Sequence, residues 1–494
     1  MSESKTFKVV VAGGGTAGWL AAAAFSKLLK PTVSVTLIES DEIGRIGVGE
    51  ATIPPLRNFL RLLGIDERDF MRSTQSTFKL GIEFQNWSQK GASYIHSFGA
   101  TGKDCWACDF QHFWLRGQQL GIAAEFGDYC PELQAAKQQK FYGGDKSPLN
   151  YAFHLDAGLL AKYLKEFSLK WGARHVEGKI CSVNQHVDTG EITSLVLEDG
   201  RTVEGDLFID CTGFRAALIE GALNSGYERC DEYLPCNSAL AVQTSSVAEP
   251  KPYTESIAHD AGWQWRIPLQ HRNGSGHVYC DQFTSDEDAE RVLANNLEGE
   301  PLVDIRGFKF LTGRRKTPWL KNCVAMGLAS GFLEPLESTS IHLAMSSILR
   351  LLKLFPYSGS KDHLRDEFNQ QCQHEFETIR DFLILHYKAT EREDTEFWRY
   401  CKNMEIPDSL KHRMALFRES AVFTLKEHEL FKIDSWTQVL IGQEVMPQHY
   451  HPIVDSMSEA ELGKFLTAIK SNTDKLMSQL PSHQSFINSY CPAN

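Results

Sequence analysis

Between Phe7 and Glu39 the sequence admits few folds. Phe7 to Ala12 is a short unbroken apolar run, Gly13-Gly14-Gly15-Thr16-Ala17-Gly18 follows it, and Trp19 to Leu29 is rich in Ala and Leu. A second apolar run, Val33 to Ile38, stops at Glu39. The pattern predicts strand, tight turn, helix, strand and acid, the βαβ unit that sets a helix N-terminus against a pyrophosphate. Gly13 permits the turn, Gly15 lets backbone approach the anion, and Gly18 lets helix and strand pack closely, while Thr16 and Ala17 open the helix with free N–H groups. Glu39 would accept hydrogen bonds from an adenosine ribose. The alternative for this segment is a glycine-rich turn that binds nothing.

The chain has 494 residues, enough for two or three structural modules. Its formal charge of −12 repels phosphate backbones and anionic lipid with no basic patch to offset it, so nucleic acid is not an expected partner. No apolar stretch reaches the roughly 18 residues of a membrane span, and the apolar start lacks a signal-cleavage pattern. A cytoplasmic address follows, and twelve scattered cysteines suit reduced thiols. Cys105 and Cys108 have the spacing of a redox dithiol or half a zinc site, but with no βαβ context and no second ligand pair they read as structural.

Only one dinucleotide fingerprint is present, so reduction of a bound flavin would come from elsewhere. Thr77 to Gln85 alternates cleanly and predicts one strand, with Phe78, Leu80, Ile82 and Phe84 on one face and Lys79, Gly81, Glu83 and Gln85 on the other. Trp263, Trp265 and Ile267 share a face of a further strand, and Asp199-Gly200 separates Leu195-Val196-Leu197 from the strand Leu207 to Cys211. Beyond Ser340 the chain reads as helical. Leu364, Phe368, Cys372, Phe376, Ile379 and Phe382 fall at three- and four-residue steps, and Ser458 with Glu461 forms a capping box. The expected fold is α/β, a single Rossmann-like body with mixed sheets over residues 1–355 and a C-terminal helical cap over 356–494 packed on it.

Gly331 to Ser340 leads into a long apolar helix running to about Phe355. Ser338 or Thr339 is a natural N-cap, and the free N–H groups near Thr339 and Ser340 make an anion site suited to a phosphate, a carboxylate or a small halide. Glu337 is then either a solvated acid beside a cap or a carboxylate held at an anion pocket because function asks for it. Lys79 has two readings of the same kind, a solvated lysine on a polar face or a directed donor where that face lines a cavity. Trp263 and Trp265 suit core or pocket wall, and His96 and Phe98 could line a pocket for a flat aromatic ligand.

Five motifs in one order resemble those of the flavin-dependent tryptophan halogenases. They are Gly13 to Gly18, Gly47-Val48-Gly49-Glu50-Ala51-Thr52-Ile53-Pro54, Lys79 within Phe78 to Trp87, Trp263-Gln264-Trp265-Arg266-Ile267-Pro268, and Glu334-Pro335-Leu336-Glu337-Ser338-Thr339. Tyr151 to Asp156 and Phe208 to Arg215 match as well. The Trp-x-Trp-x-Ile-Pro motif separates this family from related flavin monooxygenases.

The resemblance implies an FAD-binding body of the aromatic-hydroxylase type. It also implies chemistry in which FADH2 from a separate NAD(P)H-dependent flavin reductase, O2 and a halide ion, bromide or chloride, yield hypohalous acid that travels through a tunnel to an aromatic substrate. On that basis Gly49, Ala51, Ile180, Leu328 and Ile341 join the fingerprint in touching FAD, and Thr339 and Ser340 hold the halide. Lys79 binds the oxidant and Glu337 polarises it or stabilises the cationic ring intermediate. His96, Phe98, Trp263 and Trp265 line the arene site, with the tryptophan motif keeping arene and flavin apart. Two departures matter. The tyrosine pair that grips free tryptophan in its specific members is missing, the nearest stretch being Ser435-Trp436-Thr437-Gln438, and Ser340 stands where those members usually have glycine. An indole-like small aromatic substrate is therefore expected, with bromide favoured over chloride. A flavin-dependent aromatic hydroxylase on the same fold and a flavin-binding protein without turnover are the alternatives.

Overall fold

The structure, a computed structural model, describes residues 6–43, 49–357 and 361–493, so Gly47 and Val48 of the second motif lie outside it. Contacts divide the chain into two compact units, each assembled from three segments. The first comprises Met1–Ser76, Leu155–Glu232 and Phe308–Glu377, and the second Thr77–His154, Tyr233–Gly307 and Thr378–Asn494. The units are interleaved along the chain, and the boundary expected at residue 355 falls inside the first of them.

The first unit is built on a six-stranded sheet in the order Trp319–Leu320, Cys323–Ala325, Leu207–Asp210, Phe7–Ala12, Val33–Glu39, Arg174–Glu177. All pairings are parallel except that of the first two strands. Parallel strands buried on both faces read as the unbroken apolar runs seen in the sequence. Helix Thr16–Leu28 crosses over between the first two strands of the chain and packs on helices Ala157–Lys170 and Ser340–Lys353. Asp199-Gly200 makes a hairpin turn, but it joins Ile192–Leu197 to a short strand, Thr202–Glu204, that comes before Leu207–Asp210.

In the second unit six strands run in the order Ser238–Thr244, Asn273–Tyr279, Gly262–Pro268, Thr254–His259, Gly81–Gln85, Ser93–Ser97. Every neighbouring pair is antiparallel apart from Thr254–His259 with Gly81–Gln85. Helix Ile433–Gly442 packs on the strand Ser93–Ser97, and the capping box predicted at Ser458 and Glu461 opens the helix Glu459–Gln479.

The single strand expected from Thr77 to Gln85 is corrected to two strands in different sheets, Thr77–Lys79 and Gly81–Gln85. The break is at Leu80, whose N–H donates to the Pro252 carbonyl at 2.7 Å and whose carbonyl accepts from Phe98 N–H at 2.9 Å. Gly81 allows the close crossing that follows, since a Cβ there would stand 2.4 Å from the His96 carbonyl oxygen. Lys79 and Gly81, placed by alternation on a polar face, are both buried.

Candidate active site

The glycine turn is closed sterically at two points and open at a third. Gly13 has φ +107°, and a Cβ on it would lie 2.2 Å from the Cys211 carbonyl oxygen, while one on Gly18 would lie 1.9 Å from the Gly13 carbonyl oxygen. Gly15 is exposed at the N-cap of helix Thr16–Leu28, and a Cβ there would meet nothing within 4 Å. Thr16 and Ala17 are half-buried beside it. A Cβ on Gly14 would fall 1.8 Å from Glu39 Oε2, so the Glu39 carboxylate lies against the turn. That carboxylate is buried and held. Lys165 Nζ and His175 Nε2 approach Oε1 at 2.8 and 3.1 Å, and Trp19 Nε1–H donates to Oε2 at 3.3 Å. The fingerprint signals neither Lys165 nor His175.

Leu328 is half-buried in the turn Gly327–Ala329, which rests on the start of the first helix, a Cβ on Gly327 reaching 2.6 Å from Ala17 Cβ. The same turn contacts helix Ser340–Lys353, whose first turn carries buried Ile341. Ile180 packs against a core cluster that includes Ala12 and Ala329. Gly49 and Ala51 are buried in a short strand, and burial pushes the carboxyl of Glu50 between them up to about 7.

Pro335–Glu337 is a single tight helical turn, Ser338 adopts a left-handed φ of 58°, and Thr339 is the N-cap of the 14-residue helix Ser340–Lys353. Thr339 makes no side-chain capping bond, and its Oγ1 is buried without a hydrogen-bond partner. An orphaned hydroxyl at the positive end of a helix fits a small anion. Ser340 is half-buried, and Glu337 has no exposed surface, which removes the reading of it as a solvated acid. One turn further, Glu375 receives His342 Nε2 at 3.1 Å, Ser346 Oγ at 2.7 Å and an Arg350 N–H at 2.9 Å. Burial works to raise this carboxyl, but hydrogen bonds and charge from His342 and Arg350 hold it down to about 2. The network staples helix Ser340–Lys353 to the first half of helix Asp362–Lys388.

The second unit holds Lys79 and the four expected arene contacts. Lys79 is fully buried, with Nζ 5.3 Å from the Phe98 ring centroid, so a solvated lysine is excluded. It stands opposite Ala152 in the register with Ala152–His154, and the small partner leaves room for its long side chain. Phe98 is half-buried, and His96 is buried 5.4 Å from Phe382 and 6.0 Å from Phe431. Trp263 and Trp265 share one face, both buried with ring centroids 6.2 Å apart. Trp265 lies over Gly276, while Trp263 joins a wider aromatic cluster through Trp87. Gln438 accepts from Ser97 N–H and Oγ–H and donates to the Gly99 carbonyl and Thr101 Oγ1.

Cys105 and Cys108 pair through backbone bonds as two free thiols, and burial, with Asp109 and Asp104 nearby, pushes Cys108 up to about 11. Among the described residues no group of three or more His, Cys, Asp or Glu is arranged to hold a metal, and no helix is long and apolar enough to cross a membrane.

A family model for tryptophan halogenase matches residues 8–459. A flavin-dependent halogenase from Xanthomonas campestris is 52% identical, with a TM-score of 0.97 and 99% of each chain covered. BrvH, a flavin-dependent halogenase from a Brevundimonas species, is 41% identical with a TM-score of 0.94, covering 99% of this chain and 100% of that one. The tryptophan 6-halogenase ThaL of Streptomyces albogriseolus is 34% identical over 522 residues, 97% of this chain and 98% of its own. The chain belongs to the tryptophan halogenase family. It is accordingly a flavin-dependent halogenase, an enzyme that uses FAD, O2 and a halide on an aromatic substrate and takes its reduced flavin from a separate reductase. The closed glycine turn, the open helix N-terminus at Gly15 and the orphaned Thr339 hydroxyl fit FAD and a halide.

Proposed function

We propose that this enzyme makes hypohalous acid and transfers its halogen to an electron-rich, indole-like arene, using bromide in preference to chloride. FADH2 together with O2 supplies the oxidation of the halide when bound. Gly13, Gly15 and Gly18 give the pyrophosphate room, Thr16 and Ala17 receive it, Glu39 takes the ribose, and Gly49, Ala51, Ile180, Leu328 and Ile341 flank the remainder. Thr339 and Ser340 hold the halide at the positive end of their helix. Lys79 donates a hydrogen bond to the oxidant or carries the halogen as a haloamine, and Glu337 stabilises the cation that develops on the ring. Both interactions strengthen as charge develops, so they lower the barrier. His96, Phe98, Trp263 and Trp265 hold the flat ring. Residues 356–494 serve as the cap over the arene, in a cytoplasmic enzyme.

Lys79 carries this reading. Its ammonium has no exposed surface and lies 5.3 Å from the Phe98 ring centroid, so a charged donor is held at a fixed place beside an expected arene contact and away from bulk water. Gln438 supports a substrate without a zwitterion, because its amide is already committed to Ser97, Gly99 and Thr101. The test supplies FADH2, O2, bromide and indole to Lys79→Ala and reads product by mass spectrometry. Loss of bromoindole with FAD binding intact is expected, and bromination at the parental rate would overturn the assignment. Paired bromide and chloride assays on the parent and on Ser340→Gly examine the halide order.

A further inference from the structure

The strand that carries Lys79 is only three residues long, Thr77–Lys79, so its backbone has little ladder of its own to fix it. Two histidines supply what the ladder lacks. His154 stands directly opposite Thr77 in the register, and residues two apart on a strand share a face, so its ring lies alongside the lysine. Thr77 Oγ1 donates its one proton to the Pro268 carbonyl at 2.7 Å, and the 3.0 Å contact to His154 Nδ1 must therefore run from Nδ1–H to the hydroxyl. His154 Nε2 is left to accept from Thr254 Oγ1 at 2.9 Å. The imidazole carries a proton on Nδ1 and is completely buried. Burial, and then the charge of Lys79, hold its pKa well below the usual histidine range.

His483, from the helix His483–Tyr490, acts on the next residue. Its Nε2 accepts the backbone N–H of Phe78 at 3.2 Å, and its Nδ1–H donates to the Pro250 carbonyl at 2.7 Å. That pair of bonds also allows only the neutral Nδ1–H tautomer. Both residues preceding Lys79 are therefore anchored, one through its side chain and one through its backbone, by imidazoles that bring no second positive charge.

We propose that His154 and His483 are positioning residues for Lys79, two uncharged clamps that aim the ammonium without setting a second positive charge beside it. The inference rests on the reading of Lys79 as the oxidant-binding group. It is tested in the full-length protein with FADH2, O2, bromide and indole. Glutamine retains one donor and one acceptor, whereas phenylalanine retains ring volume and loses both. His154→Phe and His483→Phe are expected to lower kcat by up to about 100-fold, the effect of an ångström of misplacement, with the KM for indole and the Kd for FAD little changed. His154→Gln and His483→Gln are expected to recover most of that loss. Parental kcat in the phenylalanine variants, or glutamine variants no better than them, would overturn the proposal. Should a phenylalanine variant fail to fold, His154→Asn, too short to span both threonines, replaces it in the comparison with His154→Gln. Lys79→Ala run alongside separates the two levels. If it brominates at the parental rate the lysine reading falls, and if it is inactive while the histidine variants match the parent, only the clamp falls.

Discussion

His483 should make the protein acid-labile by an amount that the structure fixes. Burial lowers its pKa from 6.5 to about 4, against the raising effect of its hydrogen bond to the Pro250 carbonyl. A histidine with a depressed folded pKa contributes its full stability above the unfolded value and loses it as pH falls toward the folded one. The window here is pH 6.5 down to about 4. Each pKa unit corresponds to about 1.4 kcal/mol, so between pH 7 and 5 this one group should cost the folded state about 2 kcal/mol. His483→Gln keeps a neutral donor and acceptor and has no proton to gain. Urea unfolding followed by tryptophan fluorescence at the two pH values, on parent and variant, gives the double difference. The buried histidines His112 and His277, also held at about 4 chiefly by burial, titrate in both proteins and cancel. Equal losses of stability in parent and variant would refute the reasoning.

Gly18→Val places its Cβ against the Gly13 carbonyl oxygen, 1.9 Å away, and should abolish FAD binding; quenching of flavin fluorescence on titration checks it, and a parental Kd would contradict it. Lys165→Met removes the ammonium from Glu39 Oε1 and leaves His175 there. Since the lysine is 30% exposed, the loss should be about 1 kcal/mol, near a fivefold rise in the FAD Kd read by the same titration. Cys181 is an exposed free thiol, whereas burial pushes Cys108 and Cys372 up to about 11. An aromatic disulfide reagent at neutral pH should therefore react fastest at Cys181, ahead of half-buried Cys105, and that fastest phase should vanish in Cys181→Ser.

The nucleotide half was legible because its constraints are local. Phe7 to Glu39 sets out strand, turn, helix and strand in 33 consecutive residues, and the structure repeats that order with boundaries shifted by at most a few positions. The helix Ser340–Lys353 was legible for the same reason, with Thr339 as its cap and Ser338 in the left-handed turn before it. What alternation could not supply was which side of a strand faces protein. Lys79 follows the polar period, yet the chain changes sheets at Leu80 and the lysine ends up fully buried. The support around each acid or amine was equally hidden, because it comes from distant segments. Glu39 is held from residues 165 and 175, and Phe78 is bonded to a histidine 405 positions along the chain. The interleaving of the two units has the same origin, since each draws on three separated segments and nothing in the local pattern marks the exchange.

That last separation has a temporal side. During synthesis at about 5 to 20 residues per second, the Phe78 N–H leaves the ribosome roughly 20 to 80 s before the imidazole that will receive it. Until then the short strand that carries Lys79 lacks the bond from Phe78 N–H to His483 Nε2. The last anchor of the lysine strand is therefore made late in synthesis, and a nascent chain stopped before His483 presents Lys79 on a strand still missing that bond.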